Sequence, residues 1–388
     1  MHLNIKGVNG KYYIFVITCL CSLLAGMLVN LLEGWISNND KSVSWNDGKY
    51  TGDLVNGIPN GNGCFIKDGI IYTGFWQKGE MTNGTMKTDK MIYEGDFKNR
   101  KIDGYGVAKY KDGKAYWGYW KNDDKEGLGL YLNNDGSLVF GFFRNGIVQI
   151  VKGNNYTVGD HVYGIDVSRH QGIISWQDLF LECDIEGNVN GELSETSNYI
   201  QPILFSIIKS TQGVKIKDVQ YDSNYSEAKR CGKICGAYHF LTQNASGEEQ
   251  AKFYISNTIL SKGDFPPIID IEKNTADKKH ISDKEFASII PIAKEFIATV
   301  KAHYGVSPII YTNMNVYNKF IAKDSELNKY DLWLAAPGRN KPNVKNCIIW
   351  QFSHSGNVNG IKDNVVDINL FDGNYKTLNN YIKAKGIH

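Results

Sequence analysis

Two acidic residues, Asp270 and Glu272, stand two apart in the stretch FPPIIDIEK, residues 265–273. In a β-strand, side chains two apart point to the same face and lie about 6.6 Å apart along it. Two such carboxylates cannot both ionise freely, so the pKa of one rises and it holds a proton near neutral pH. The general acid of glycosidic bond cleavage needs that property. The same spacing is also common at ordinary solvated strand ends, and by itself it favours that second interpretation.

Several other apolar runs in the second half of the chain also finish in polar or aromatic residues. If these runs are strands of a closed barrel, their ends converge on one cleft, where barrel enzymes place their chemistry. A purely structural protein has no need of such a polar cluster, so we expect a functional cleft. The residues concerned are Asp166, Lys209, Tyr238, His239, Tyr311, Asn313, Trp350, Gln351, Asp367 and Asn369.

The elements that would position these side chains begin at Val162. Short apolar runs alternate there with longer amphipathic stretches such as DKEFASIIPIAKEFIATVKAHYG, which predicts a helix that ends at Gly305. Continuous apolar strands between helices are typical of an α/β fold with strands buried on both faces. About seven strands in about 220 residues favour a closed barrel over an open sheet. We therefore predict an α/β barrel domain over residues 162–388.

Residues 49–150 differ, because they contain an internal repeat of 21 to 24 residues. Each unit has an aromatic-x-Gly start, an alternating strand, a polar turn and a second strand that ends near Asp-Gly, where glycine tolerates positive φ. Such a unit forms one β-hairpin, and stacked hairpins bury the aromatic face of each against the next. The units start at Tyr50, Tyr72, Tyr93, Tyr116 and Phe140.

These units resemble the MORN repeat, although the second copy has NGTM and DK where the pattern has Gly-x-Gly and Asp-Gly. The resemblance implies a curved antiparallel sheet that serves as a spacer or a binding surface, with a protein or a lipid as the candidate partner. We interpret the aromatic residues as core between repeats in preference to a sugar- or lipid-facing platform.

The leader of the chain is apolar, and residues 12–32 contain no charged residue. A helix of that length rises about 31 Å, enough to span a hydrocarbon core. Lys6 and Lys11 precede the run, whereas Glu33 and Asp40 follow it, which places residues 1–11 in the cytoplasm. We favour an uncleaved membrane anchor over a cleaved signal peptide. Either predicts a periplasmic or extracellular location for the rest of the chain, with linkers at 33–48 and 151–161.

The net charge and the cysteine spacing argue against a nucleic-acid partner and against a disulfide or metal site. The net charge of +2 gives no reason to expect a nucleic acid as partner. Cys231 and Cys235 are the only closely spaced cysteines outside the leader, and no second Cys/His pair has metal-ligand spacing. We interpret them as buried side chains, not as a disulfide or a metal site.

Eight motifs occur in one order along residues 162–373: YGIDVSRHQG, SIIKSTQG, CGAYHF, PPIIDIE, IIYTN, LWLAAP, IIWQFS and VDINLF. Together they resemble glycoside hydrolase family 25, lysozymes of the N,O-diacetylmuramidase type. The resemblance implies an irregular β/α (TIM-like) barrel. It also implies hydrolysis of the β-1,4 bond between N-acetylmuramic acid and N-acetylglucosamine in peptidoglycan glycan strands. No metal and no organic cofactor is implied.

The resemblance also assigns roles to the four acidic residues. Glu272 matches the general acid/base, and Asp270 matches the residue that orients the substrate's 2-acetamido group, the internal nucleophile of a retaining mechanism. Asp166 in the first strand and Asp367 in the last flank this pair and set its hydrogen bonding and charge.

The same resemblance suggests which side chains bind the substrate. Lys209 would meet a carboxylate of the lactyl group or the stem peptide. Four aromatic residues are candidates for stacking on sugar rings: Tyr238, Tyr311, Trp333 and Trp350. Gln351, a polar strand-end residue, is a further candidate for substrate binding.

Two features depart from the family pattern. Gln212 stands where the family often has Glu, so it receives no role, and residues 183–202 are interpreted as an inserted surface loop. Because neither feature involves the four acids, we expect an active enzyme. The alternatives are an inactive peptidoglycan-binding scaffold and a chitinase-like acetamido-sugar hydrolase.

Overall fold

The computed structural model of the protein describes residues 42–149, 162–183, 199–273, 282–338, 341–361 and 366–388. The chain divides between Gln149 and Ile150 into two compact units. Within the described ranges, no helix is long and apolar enough to cross a membrane. Residues 12–32 lie outside those ranges, so the membrane anchor stays a prediction.

The first unit is one antiparallel sheet of 11 strands, in which each strand pairs with its neighbours in the sequence. At Asp68-Gly69 both residues have positive φ, 51° and 76°, which is the backbone of a tight hairpin turn. The hairpin stack predicted for the repeats is therefore confirmed. The strands are β1 (Ser42–Trp45), β2 (Gly48–Val55), β3 (Ile58–Lys67), β4 (Ile70–Gln77), β5 (Glu80–Lys87), β6 (Met91–Lys98), β7 (Lys101–Tyr110), β8 (Ala115–Lys121), β9 (Asp124–Leu132), β10 (Leu138–Arg144) and β11 (Ile147–Val148).

Three tyrosines of the aromatic-x-Gly starts make the same set of contacts in the core of this sheet. Each is 0% exposed, its ring lies against a glycine of the next strand, and its hydroxyl donates to a main-chain carbonyl three residues later. Only glycine leaves room for the ring at that position, which explains the Gly-x-Gly part of the repeat. The pairs are Tyr50 with Gly63, Tyr93 with Gly106, and Tyr116 with Gly129.

Replacing Gly106 by Ala is expected to destabilise the first unit, because an added Cβ would overlap the Tyr93 ring. Overpacking of this kind costs about 1–3 kcal/mol of the free energy of unfolding. Urea unfolding of the whole chain, with hydrogen exchange followed in β6 to β8, measures the loss. The matched control is the same Gly106→Ala change made in a Tyr93→Ala background, where the ring that the added Cβ would meet is absent. An equal loss in the two backgrounds would contradict the packing argument.

The second unit is built around a closed barrel. The strands of this unit are β12 (Val162–Val167), β13 (Phe180–Cys183), β14 (Tyr199–Gln212), β15 (Ile216–Lys217), β16 (Ile234–Phe240), β17 (Ile268–Asp270), β18 (Ile309–Asn313), β19 (Leu332–Ala335), β20 (Cys347–Gly356), β21 (Val358–Asn359) and β22 (Val366–Phe371). Around the barrel the order is β12, β22, β20, β19, β18, β17, β16 and β14, and β14 pairs with β12 to close it.

Helices follow some of these strands. The helix Ile289–Tyr304 buries Ala293, Phe296, Ile297 and Val300 at no more than 1% exposure, and Gly305 ends it with φ 73°, as the sequence predicts. The helices are α1 (Tyr221–Arg230), α2 (Gly247–Asn257), α3 (Asp283–Phe286), α4 (Ile289–Tyr304), α5 (Met314–Val316) and α6 (Tyr375–Lys385). Single helical turns of other types span Arg169–Gln171, Trp176–Asp178, Tyr317–Ile321 and Leu327–Lys329.

The predicted α/β class, with an irregular TIM-like β/α barrel, is wrong, because the described part of the chain is mostly β. The described residues of the first unit form strands and turns only, and those between β19 and β20 contain no helix. In addition, β22 runs antiparallel to both of its neighbours, β12 and β20. A TIM barrel requires parallel strands that are each followed by a helix. Apolar periodicity locates strands, but it carries no information about the direction in which each one pairs.

Most of the predicted insertion, residues 184–198, lies outside the described residues. The strands on either side of it, β13 and β14, pair antiparallel with Cys183 opposite Tyr199. The insertion therefore connects two paired strands.

Candidate active site

Strand pairing brings Asp166 and Asp367 together in space, although in the sequence they lie near opposite ends of the domain. The two residues are register partners in the β12–β22 pair. Because β22 is antiparallel to β12, its first residues lie at the end of the barrel where the parallel strands finish. Asp367 therefore shares the C-terminal rim of the barrel with Asp166.

Two buried amides hold this acidic pair in place. Gln351 is 0% exposed, and its Nε2 donates to Asp166 Oδ2 at 2.8 Å and to Asp367 Oδ2 at 3.3 Å. Asn369 Nδ2 donates to the same Asp166 oxygen at 2.7 Å. Burial and the charge of Asp367 raise the pKa of Asp166 well above its usual value, while the two amide hydrogen bonds lower it. The amides thus orient the acids without adding charge.

The end of β17 and the residues after it supply Asp270 and Glu272. Ile269 and Ile271 are 0% exposed and alternate with the two acids, which therefore share the opposite side of the chain. Thr312 Oγ1 donates to the Ile271 carbonyl at 2.7 Å, which keeps the chain beside β18. Asp270 is 4% exposed, and its Oδ1 is buried without a hydrogen-bond partner among the described residues.

The electrostatic environment gives both acids of this pair a raised pKa. Burial first, and then the charge of Glu272, raises the pKa of Asp270 well above its usual value, although Lys209 lowers it. Burial raises the pKa of Glu272 to about 7. The charge of Asp367 also raises this pKa, whereas the charges of Lys209 and His354 lower it. Glu272 therefore exchanges its proton near neutral pH, as a general acid must.

Lys209 of β14 is a cation close to this pair. Its Nζ donates to Gln212 Oε1 at 2.9 Å and lies 5.0 Å from the centroid of the Phe240 ring. Burial lowers the pKa of Lys209, whereas the charges of Asp270 and Glu272 raise it. Because Gln212 is neutral, it does not cancel the charge that Lys209 presents to the acids.

Two of the aromatic candidates lie within the hydrogen-bonded framework. The rings of Tyr311 and Trp333 have centroids 4.3 Å apart and exposures of 9% and 1%. Tyr311 Oη donates to Gln351 Oε1 at 2.9 Å, and Trp333 Nε1 donates to Asn369 Oδ1 at 2.7 Å. At 1% exposure, Trp333 has no free face and instead supports its neighbours.

The other two aromatic candidates differ in exposure. Tyr238 is half-buried, with its ring 6.2 Å from that of Trp333 and edge-on to it. Trp350 is 7% exposed, and its Nε1 donates to the Ala336 carbonyl at 2.8 Å. Of the four aromatic residues, Tyr238 has the largest exposed fraction.

Sequence reasoning assigned no role to two residues that contact the acids. Asn369 was only one of many polar strand-end residues, and its contacts to Asp166 and Trp333 depend on the fold. The Nδ1 atom of His354 lies 3.4 Å from Asp367 Oδ1. Its only signal in the sequence is its place three residues after Gln351.

One strand-end residue, His239, does not face the acids. It is 0% exposed, its ring nitrogens contact Thr211 Oγ1 at 2.7 Å and Gln250 Oε1 at 3.2 Å, and its ring stacks on Phe296. Burial lowers its pKa to about 3, so the ring is neutral. His239 is a packed, hydrogen-bonded residue. Cys231 and Cys235 are likewise buried, at 2% and 0% exposure.

The site thus combines four acids, one of which exchanges a proton near neutral pH, with Lys209, His354 and the half-buried residue Tyr238. The family Glycosyl hydrolases family 25 matches residues 165–361, and the MORN repeat matches residues 50–69, 93–115 and 116–138. The second repeat, which departs from the pattern in sequence, lies outside the three matched segments.

Lysozyme M1 of Streptomyces globisporus is 31% identical over 223 residues, which cover 55% of this chain and 68% of that protein. YegX of Escherichia coli (strain K12) is 28% identical over 223 residues, which cover 57% of this chain and 73% of YegX. A solved structure, the bacterial lysozyme from Streptomyces coelicolor, is 28% identical, covers 58% of this chain and 99% of its own, and has a TM-score of 0.47. Because the family match at 165–361 spans more than half of its residues, this chain belongs to glycosyl hydrolases family 25 and is a glycoside hydrolase that carries MORN repeats.

Proposed function

We propose that this protein is a muramidase that cleaves the β-1,4 bond between N-acetylmuramic acid and N-acetylglucosamine in peptidoglycan. The observation that carries this proposal is the buried Oδ1 of Asp270, which has no hydrogen-bond partner among the described residues. Leaving a buried polar atom unpaired costs about 1–3 kcal/mol, so a ligand group that donates to it is favoured. The N–H of a 2-acetamido group, present on both sugars of this glycan, is such a donor.

In the proposed reaction, protonated Glu272 donates its proton to the glycosidic oxygen as the bond from that oxygen to C1 breaks. The carbonyl oxygen of the substrate's own acetamido group attacks C1 and gives an oxazolinium-like intermediate. Asp270 accepts a hydrogen bond from the acetamido N–H and stabilises the positive charge that develops there. Water then attacks C1 and displaces the acetamido oxygen, which regenerates the acetamido group, while Glu272, now a carboxylate, takes a proton from the water. Because C1 is displaced twice, its configuration is retained.

The remaining residues have supporting roles in this proposal. The Gln351 and Asn369 amides hold Asp166 and Asp367 as fixed acids beside the central pair. Lys209 offers a positive charge to a carboxylate of the lactyl group or the stem peptide. Tyr238, the most exposed of the four aromatic residues, offers its ring to sugar C–H groups in this proposal. The name of Lysozyme M1 supports the same substrate class for this chain.

The decisive experiment is a digest of purified peptidoglycan. We expect soluble muropeptides whose new reducing ends are N-acetylmuramic acid, identified by mass spectrometry after borohydride reduction. N-acetylglucosamine at those ends would make the protein a glucosaminidase. Turnover of chitin oligosaccharides alone would indicate the chitinase-like alternative, and retention on peptidoglycan without cleavage would indicate a binding scaffold.

The pH dependence of this activity tests the role of Glu272. Because the acid must be protonated at the start of the cycle, kcat/KM is expected to fall as pH rises through about 7. The measurement is initial rate against pH at constant ionic strength. A fall centred near the ordinary glutamate pKa of about 4.3 would contradict the assignment.

A further inference from the structure

His354 lies in a stretch of β20 where pairing with β22 is irregular. The register shifts between Gln351 and Ser353 and again between Ser353 and Gly356. Bulges of this kind occur next to active sites and re-aim side chains. Here the imidazole reaches across the strand pair, with its Nδ1 3.4 Å from Asp367 Oδ1.

The charged groups around His354 are almost all acidic. Asp367 from β22, Asp166 from β12 and Glu272 beyond β17 all act on the imidazole. Among the described residues, the other cation that acts on Glu272 is Lys209 of β14. The His354 side chain is 52% exposed, so its imidazole exchanges protons with solvent.

We propose that His354 is a positioning residue, whose imidazolium pairs with Asp367 and gives the acidic cleft a positive charge that is lost as pH rises. The inference rests on the proposed function, in which Glu272 is the acid/base. Through Asp367 and its partner Gln351, the pair also steadies the framework that holds Asp166.

The two titrations are coupled. The hydrogen bond to Asp367 raises the pKa of His354 above its usual range, although burial opposes this, and the pKa of Glu272 is about 7. The imidazolium favours the ionised form of Glu272. When His354 loses its proton, Glu272 therefore holds its own proton to higher pH. Activity should consequently decline over a wider pH range than one isolated carboxyl would give.

Two substitutions of opposite sign test this proposal in the full-length protein. His354→Gln removes the charge, so the fall of kcat/KM should move to higher pH. His354→Lys keeps a charge at every relevant pH, so the fall should move to lower pH. Each shift is expected to be on the order of 0.5 pH unit. His303→Gln is the matched control, because His303 is exposed on α4 and packs against Tyr304.

Shifts of the pH profile in opposite directions would support the proposal, because a merely structural role of His354 would not depend on whether the replacing side chain is neutral or positive. Unchanged profiles in both variants, with an active wild type, would overturn it and leave the muramidase proposal intact. An NMR titration of the His354 ring in the wild type and in Asp367→Asn needs no activity. The pKa of His354 should fall in Asp367→Asn, and an unchanged value would overturn the pairing. A wild type without cleavage would overturn the proposed function instead.

Discussion

Glu272→Gln is expected to lower kcat for peptidoglycan cleavage by about 10²–10⁴-fold. Glutamine preserves the size of the side chain, but it cannot donate a proton to the glycosidic oxygen or accept one from water. The loss should fall on kcat more than on KM, because the proton moves in the transition state. Initial rates of muropeptide release measure it, and the pH dependence centred near 7 should disappear with the carboxyl group.

Glu248→Gln is the matched control for this variant. Glu248 is exposed on α2, where it pairs with Lys252 at 2.6 Å, and it is not among the cleft residues. Its rate should equal that of the wild type. If Glu272→Gln also kept the wild-type rate, the proposed mechanism would be wrong.

Asp270→Asn is expected to give the second large loss, about 10²–10³-fold in kcat. Asparagine is similar in shape, but it carries no charge to stabilise the developing positive charge of the acetamido group. The thermal stability of this variant, by contrast, is expected to rise. Burial of the Asp270 carboxyl raises its pKa well above the usual value, whereas in the unfolded chain the group is ionised at neutral pH, so this difference in pKa lowers the free energy of unfolding at pH 7. The neutral amide removes that cost and should raise Tm at pH 7.

Kinetics on peptidoglycan and a thermal melt of the same samples test both parts of this prediction. Asp372→Asn is the control, because the Asp372 side chain is 59% exposed and pairs with Lys341 at 2.6 Å. A variant that lost activity and stability together would show that Asp270 is structural. A variant that gained stability and kept full activity would remove Asp270 from the mechanism.

Much of the architecture could be predicted from local patterns. The aromatic-x-Gly starts and Asp-Gly turns predicted the hairpin stack, because positive φ and strand alternation depend on only a few neighbouring residues. The apolar runs located the barrel strands in the same way. The prediction of an α/β class failed at β22, because strand direction depends on pairing partners far away in the sequence.

In the candidate site, too, local patterns predicted some features and failed to predict others. The spacing of Asp270 and Glu272 already placed both acids on one side of the chain, since strand alternation is a local property. Local properties did not predict that Trp333 would be 1% exposed, because burial depends on what the rest of the barrel places over a ring.

By itself, then, the sequence determined the repeat hairpins, the strands and the alignment of Asp270 with Glu272, all of which follow from spacings of a few residues. Only the tertiary structure decided that antiparallel β22 puts Asp367 beside Asp166 and that Gln351 bridges them. It also decided that burial raises the pKa of Glu272 to about 7. The reason is physical: desolvation and charge interactions depend on distances between residues that are far apart in the chain, and folding alone sets those distances.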